Sequence, residues 1–222
     1  MTPYPLDDAR SAFLDALDGL SALLDHLADE QHGDDRMHAR SRCRGWLVAD
    51  VLAHLHLGLV EMLAGFPART DRPADTTFAS YWAAFPPGGE EPDWAHVRFA
   101  RGIAAAYARP SAQVIHVRTT VRGLRRLVAD LSGRHRIEFQ GHVLEVSDFV
   151  ATWVVEVVVH HLDMTVDLSG APEPPASGLA VVRETVAALL PDPVALDGRD
   201  DTSVALVATG RVPDPGLGAV LG

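Results

Sequence analysis

From Asp148 to Leu168 the chain reads Asp-Phe-Val-Ala-Thr-Trp-Val-Val-Glu-Val-Val-Val-His-His-Leu-Asp-Met-Thr-Val-Asp-Leu, an apolar run with a polar stripe cut into it. At about 100° per residue, Thr152, Glu156, His160, Asp163 and Asp167 fall within roughly 80° of one another on a helical wheel. A carboxylate and an imidazole kept inside a core must be paired, hydrogen-bonded or bound to a metal. Glu156 and His160 are one helical turn apart, so both can reach a single ion; a plain hydrogen-bonded pair would satisfy them too. Upstream, His54 and His56 sit at opposite borders of another apolar face, and periodicity alone does not choose between them. Gly58, one turn after His54, removes a side chain where a ligand could approach. His54 with Glu156 and His160 makes a two-histidine, one-carboxylate set suited to a divalent first-row ion, zinc first, with nickel, iron and manganese as alternatives. Three protein ligands leave a position for water or substrate, and a metal-bound water can titrate near about 7 while a bound thiol is readily deprotonated. Asp163 on the same stripe could orient a ligand histidine or cap something local.

These residues need helices to hold them. The Val-rich 148–168 segment has strand propensity, but about twenty residues without Gly or Pro is long for a strand and ordinary for a helix. Ser147 or Asp148 offers an N-cap, and Gly170 with Pro172 a stop. Phe13, Leu14, Leu17, Leu20, Leu24 and Leu27 mark an amphipathic helix over 6–28, and Val48, Val51, Leu52, Leu55, Leu59 and Met62 mark a second over 46–64. Two more are predicted over 93–108 and 111–131, the latter with Arg118, Arg122, Arg125 and Arg126 facing solvent. Residues 30–44 read as a polar loop. The Pro-rich 66–92 stretch reads as a long connection with a short helix around 76–84, of the kind that forms a lid or pocket wall. A hairpin turning at Gly141 leads into the 148–168 helix. After a Pro-rich linker at 171–177 come a helix over 177–190, a strand over 203–209, a Thr209-Gly210-Arg211 turn and a loose tail. The expected architecture is an all-α core of four long helices over 1–170 with a small α/β C-terminal appendage over 171–222.

Composition narrows the classes. The 222 residues are 47% apolar and 22% charged, which suits a globular chain with a real core. A net charge of −11 and the lack of a basic block argue against nucleic acid and anionic membrane as partners. All 19 basic residues are arginine, so Schiff-base chemistry is excluded. Cys43 is the single cysteine, so no internal disulfide forms and the reducing cytoplasm is the expected compartment. The first residues lack the features of a signal peptide, and no uninterrupted apolar run reaches a membrane-spanning length.

Two stretches resemble a known group. Trp46-Leu-Val-Ala-Asp-Val-Leu-Ala-His54-Leu resembles the tryptophan-to-histidine helix start of the mycothiol-dependent maleylpyruvate isomerase N-terminal family. Glu156-Val-Val-Val-His160-His-Leu-Asp163 resembles that family's Glu-x-x-x-His-His-x-Asp signature. The resemblance covers residues 6 to about 170 and implies membership of the DinB-like superfamily, whose fold is a four-helix bundle. It implies His54, Glu156 and His160 as ligands of a divalent metal, usually zinc, with His161 pointing elsewhere. It also implies a low-molecular-weight thiol, mycothiol in the isomerase branch, bound and activated for isomerase or S-transferase chemistry on an organic substrate. Arg211 matches a Gly-Arg turn near the end of such proteins, and the isomerase itself takes an arginine from its C-terminal region. Other readings stay open. A non-enzymatic metal- or ligand-binding bundle, with a homodimer as one form, would use His56, His161 or Asp163 as a fourth ligand. A metal-dependent hydrolase would use an activated water, and in a metal-free bundle Glu156 and His160 merely pair. Trp82, Phe85, Trp153 and Met164 could line a pocket or pack the core.

Overall fold

The computed structural model describes residues 2–85 and 94–221. Four long helices organise it: α1 (Leu6–Leu27), α3 (Val48–Gly65), α5 (Gln113–Ala129) and α6 (Val146–Thr165). They pack in a ring, α1 against α5 and α6, and α3 against α5 and α6. Three shorter helices flank this core: α4 (Trp94–Ala104) on α3, α7 (Ala176–Leu189) on α6 and α1, and α8 (Asp201–Ala208) on α7 and α6. The shared interior runs from Phe13, Leu17 and Leu24 through Leu52, Leu55 and Leu59 to Phe149, Val154 and Val158. Each such side chain, fully withdrawn from water, contributes about 1.5–3 kcal/mol.

Helix α6 is apolar on nearly all sides because α1, α3 and α7 all cover it. That burial overrides the strand propensity of its valines. Its start differs from expectation: Glu145 is the N-cap position, and the chain passes straight from a strand into the helix. Asp148 serves as a clamp instead. Its Oδ1 accepts the backbone N–H groups of Tyr4 at 3.2 Å and Phe78 at 3.1 Å, pinning the chain start and the long connection to α6.

The hairpin forms as predicted, β2 (Arg136–Phe139) against β3 (His142–Glu145), with Ile137 opposite Leu144. Its turn residues Gln140 and Gly141 both have positive φ, 50° and 83°, matching the twist of a two-residue hairpin. A two-residue strand β1 (Arg69–Thr70) adds antiparallel to β2, an edge too short to announce itself in sequence. The polar 30–44 stretch contains a one-turn helix α2 (Gly33–Met37), and the connection after β1 holds a 3-10 turn at Ser80–Ala84. Helix α3 is long and apolar enough by composition to cross a bilayer, yet its apolar face is spent on α5 and α6 and it carries Asp50, His54, His56 and Glu61.

The C-terminal region departs most from expectation. The predicted strand over 203–209 is helix α8, because Asp200 caps it: its carboxylate accepts the Ser203 N–H at 2.9 Å and the Ser203 hydroxyl at 2.6 Å. Val204, Ala205, Val207 and Ala208 are buried, so the apolar run 204–208 packs as one face of a short helix. The appendage is helical, not α/β. Nor is the tail loose. Leu217 and Leu221 are buried, and the N–H groups of Val220 and Leu221 both bond to Ala208 O, at 2.7 and 2.9 Å.

Candidate metal centre

Helix α3 places His54 and helix α6 places Glu156 and His160 on facing sides of the α3–α6 contact. Leu47, just before α3, has no side-chain oxygen for a cap; Asp50 Oδ2 accepts its N–H at 3.0 Å and also binds Arg101 of α4 at 3.2 Å. The start of α3 is thereby fixed one turn ahead of His54. Glu156 Oε1 lies 3.3 Å from His54 Nε2 and 3.3 Å from His160 Nε2. The two imidazole rings meet edge to face with centroids 4.9 Å apart. His54, Glu156 and His160 each turn one ligand atom towards the others, all within 4.8 Å.

The far nitrogens of both rings are engaged. His160 Nδ1 is 3.0 Å from Asp163 Oδ2, an acceptor only, so Nδ1 carries the proton and donates. His54 Nδ1 is hydrogen-bonded to His96 Nε2 at 3.1 Å, and the Trp46 ring packs edge-on against both imidazoles. With each Nδ1 occupied, each Nε2 is the nitrogen left to face Glu156, the orientation that partners of metal-binding histidines enforce. Once the proton between them is displaced, two Nε2 atoms and a carboxylate oxygen can turn electron pairs inward, a donor set that fits a divalent cation. Side-chain exposure falls from 24% at His54 and 20% at Glu156 to 10% at His160 and 0% at Asp163, so the cluster opens towards solvent on the His54 side.

The electrostatics agree. Burial disfavours a charged Glu156, but His160 and His54 outweigh it and hold its carboxyl well below the usual range. Burial also works against an imidazolium at His160; the Glu156 charge and the bonds to Asp163, Cys43 and Glu156 prevail and hold it well above the usual histidine value. Without a cation, the charge between these groups is a proton.

Behind His160 lies a second layer. Asp163 is fully buried, resists protonation despite that burial because of His160 and Arg211, and takes the Arg211 fork: Nε to Oδ1 at 3.0 Å and Nη2 to Oδ2 at 2.9 Å. Cys43 Sγ donates to Asp163 Oδ2 at 3.1 Å, and burial pushes its thiol pKa up. The 38–47 loop that carries Cys43 is held by the Arg42 N–H on Asp163 O at 3.0 Å and by an Arg40–Leu47 bridge.

Other candidates sit elsewhere. His56 Nε2 bonds Thr120 Oγ1 of α5 at 3.0 Å, and His161 Nε2 bonds Pro172 O at 2.8 Å, so neither joins the cluster. The Thr152 hydroxyl donates to Phe149 O, and Asp167 pairs with Arg40. Gly58 clears room for Trp153, whose ring a Cβ there would meet at 3.0 Å, and not for a ligand. Trp82, Trp153 and Met164 are buried in the core, while Phe85 is half-exposed. Arg118 and Arg125 pair with Asp25 and Asp18 of α1, and two grooves beside the sheet, sharing Arg69 and His135, contain none of the clustered residues. Cys43, His96 and the Arg211–Asp163 pair were not identified as site residues from sequence. Cys43 and Asp163 are 120 residues apart and Asp163 and Arg211 48, so no local spacing could signal them.

No curated protein and no solved structure matches the chain significantly. The family model described as the mycothiol maleylpyruvate isomerase N-terminal domain matches residues 5–165, a span that holds His54, Glu156, His160 and Asp163 and ends before Arg211. On that match over most of its length, the chain belongs to the mycothiol maleylpyruvate isomerase N-terminal domain family.

Proposed function

We propose that this protein is a thiol-dependent metalloprotein of the DinB-like kind, an isomerase or S-transferase that takes mycothiol and an organic electrophile as its small-molecule partners. His54, Glu156 and His160 would hold the divalent cation, zinc before other first-row ions. The observation that carries the reading is the meeting of two Nε2 atoms and a carboxylate oxygen at 3.3 Å spacings, with both Nδ1 atoms already bonded. A cation held there supplies the positive charge that keeps a bound thiol as thiolate near neutral pH.

The chain's own residues set the rest. Asp163 keeps the His160 Nδ1 proton and with it the Nε2 lone pair. Trp46 and His96 keep the His54 ring in place. His56, His161 and Asp163, each bonded elsewhere, leave the three-residue set without a fourth protein ligand among the described residues. That favours an exchangeable position over a closed structural site. The 66–92 connection is the natural substrate wall, although residues 86–93 lie outside those described. Residues 1–170 would form the cation-binding unit and 171–222 an extension that closes against it.

Elemental analysis of the purified protein beside His54→Ala and Glu156→Ala tests the ligand set: about one equivalent of metal in the unaltered chain and a loss in both variants. Mycothiol consumption with and without metal tests the chemistry. Absence of binding or turnover of any thiol by the metal-loaded protein removes the thiol reading, and thiol-independent cleavage abolished by chelator replaces it with hydrolysis.

A further inference from the structure

His160 belongs to two clusters of ligand atoms. Its Nε2 faces His54 and Glu156; its Nδ1 faces Cys43 and Asp163, and the side chains of Cys43, His160 and Asp163 also bring a thiol sulfur, an imidazole nitrogen and a carboxylate oxygen within 4.8 Å of one another. Chemically the second trio is the softer, since sulfur, nitrogen and oxygen together attract zinc, cadmium and cobalt. One cationic side chain already sits on the second trio. The Arg211 guanidinium spans both oxygens of Asp163 at 3.0 and 2.9 Å, reaches to 3.8 Å from Cys43 Sγ with the same Nη2, and anchors Nη1 on Thr209 O at 3.0 Å. It is delivered by the turn after α8, where Gly210 has φ +69° and the Arg211 N–H bonds Leu206 O at 2.8 Å.

We infer that Arg211 is a positioning residue and the resident cation of this second cluster: it occupies the charge site of Cys43, His160 and Asp163, holds Asp163 on His160 Nδ1, and so confines a metal ion to His54, Glu156 and His160. The inference rests on the metal reading above but concerns residues of the second cluster. A guanidinium suits the task because its planar fork satisfies both carboxylate oxygens and it cannot lose its charge. Asp163, fully buried, would otherwise keep an uncompensated charge, and any divalent cation admitted there would draw the Cys43 sulfur as thiolate and turn His160 from Nε2 to Nδ1 ligation. Positioning partners of this kind typically change metal affinity by about 10–100-fold when removed.

The test loads the full chain with Co2+ and, separately, Cd2+, reading stoichiometry and sulfur-to-metal charge-transfer absorption in the unaltered protein, Arg211→Met and Arg211→Lys. Expected are about one equivalent without a sulfur band in the unaltered protein and a sulfur band with further metal uptake in Arg211→Met. The double variant Arg211→Met with Cys43→Ser loses the band, and Arg211→Lys, which restores a positive charge, lacks it. A sulfur band in the unaltered protein, or a folded Arg211→Met with unchanged stoichiometry and no band, overturns the inference. Should Arg211→Met fail to fold, Cys43→Ser alone decides: unchanged cation affinity supports the confinement, and a loss of about tenfold or more shows that the sulfur is already a ligand. Failure of the metal reading looks different. An unaltered chain that takes up no cation, indistinguishable from His54→Ala, overturns the primary site while the band in Arg211→Met still decides this one.

Discussion

With a carboxylate at each ring nitrogen of His160, Asp163 at Nδ1 and Glu156 at Nε2, the cluster needs a positive charge among its groups. In the metal-free protein His160 supplies it as imidazolium, since Glu156 and Asp163 hold its pKa well above the usual histidine value against the pull of burial. A metal must displace that proton, so proton and metal compete. Zinc affinity should therefore rise with pH from neutrality up through the raised His160 value, with protons released. Titration calorimetry in buffers of different ionisation enthalpy reads the release directly; binding that is flat over this range contradicts ligation by His160 Nε2. The same shifts set the metal-free stability. His160 is raised on folding, so its contribution is complete below the ordinary histidine value of about 6.5 and is lost as pH climbs through the folded value. Glu156 is lowered on folding, so its contribution is present above the ordinary carboxylate value and disappears as pH falls through the depressed one. Urea midpoints measured in chelator should fall on the alkaline side of neutrality, and saturating zinc should remove that fall. At Asp163 the stake is larger. Its partner Arg211 is 15% exposed and Asp163 itself 0%, so Asp163→Ala strands a buried guanidinium and should cost about 3–5 kcal/mol in denaturant unfolding.

Helix α7 meets α6 through a glycine. A Cβ at Gly178 would come within 2.6 Å of Val158 Cγ2, on a β-branched side chain with little freedom to swing aside. Gly178→Ala should cost about 1–3 kcal/mol by forcing the helices apart, and pairing it with Val158→Ala should recover part of the loss; equal midpoints for Gly178→Ala and the unaltered chain would show that the contact yields freely. At α8 the cap carries the element, and Asp200→Ala should cost about 0.5–2 kcal/mol, read the same way. These two helices also mark how far the sequence could be read. Spacing located α1, α3, α5 and α6 because each is long enough for its period to repeat, and the Glu156–His160 turn lies within one of them. It failed at 203–209, where a continuous apolar run over 204–208 suits a strand as well as two turns of helix, and the deciding signal was the Asp200 carboxylate outside that run. His54 was separable from His56 only through the family pattern. Arg211 was marked only by the family's Gly-Arg turn and Cys43 by nothing, because their meeting with Asp163 is made by tertiary packing.

At the scale of the whole molecule, the cluster is where α3 and α6 would be cross-linked by a cation. His54 stands on one and Glu156 with His160 on the other, and the helices that close the ring, α1 and α5, contribute no residue to the cluster. The acidic surface does not supply this link: with a net charge of −11, its arginines are spent on pairs such as Arg118–Asp25 and Arg125–Asp18 between α5 and α1, and exposed pairs are worth about 0–1 kcal/mol each. A cation bound only by the folded state stabilises it by mass action, about 2.7 kcal/mol at a hundred times its dissociation constant. For a chain of this size each kcal/mol moves the melting temperature by about 2–4 °C. Adding zinc to the metal-free protein should therefore raise the melting temperature in step with the logarithm of free zinc, and chelator should reverse it. Two variants separate the link from general stability. His54→Ala should melt at a temperature indifferent to zinc, since one of the helices has lost its hold on the ion. Gly178→Ala should start lower yet gain the same increment as the unaltered chain, because its damage lies at the α6–α7 contact and leaves His54, Glu156 and His160 facing one another. An equal zinc response in His54→Ala would place the ion elsewhere on the protein.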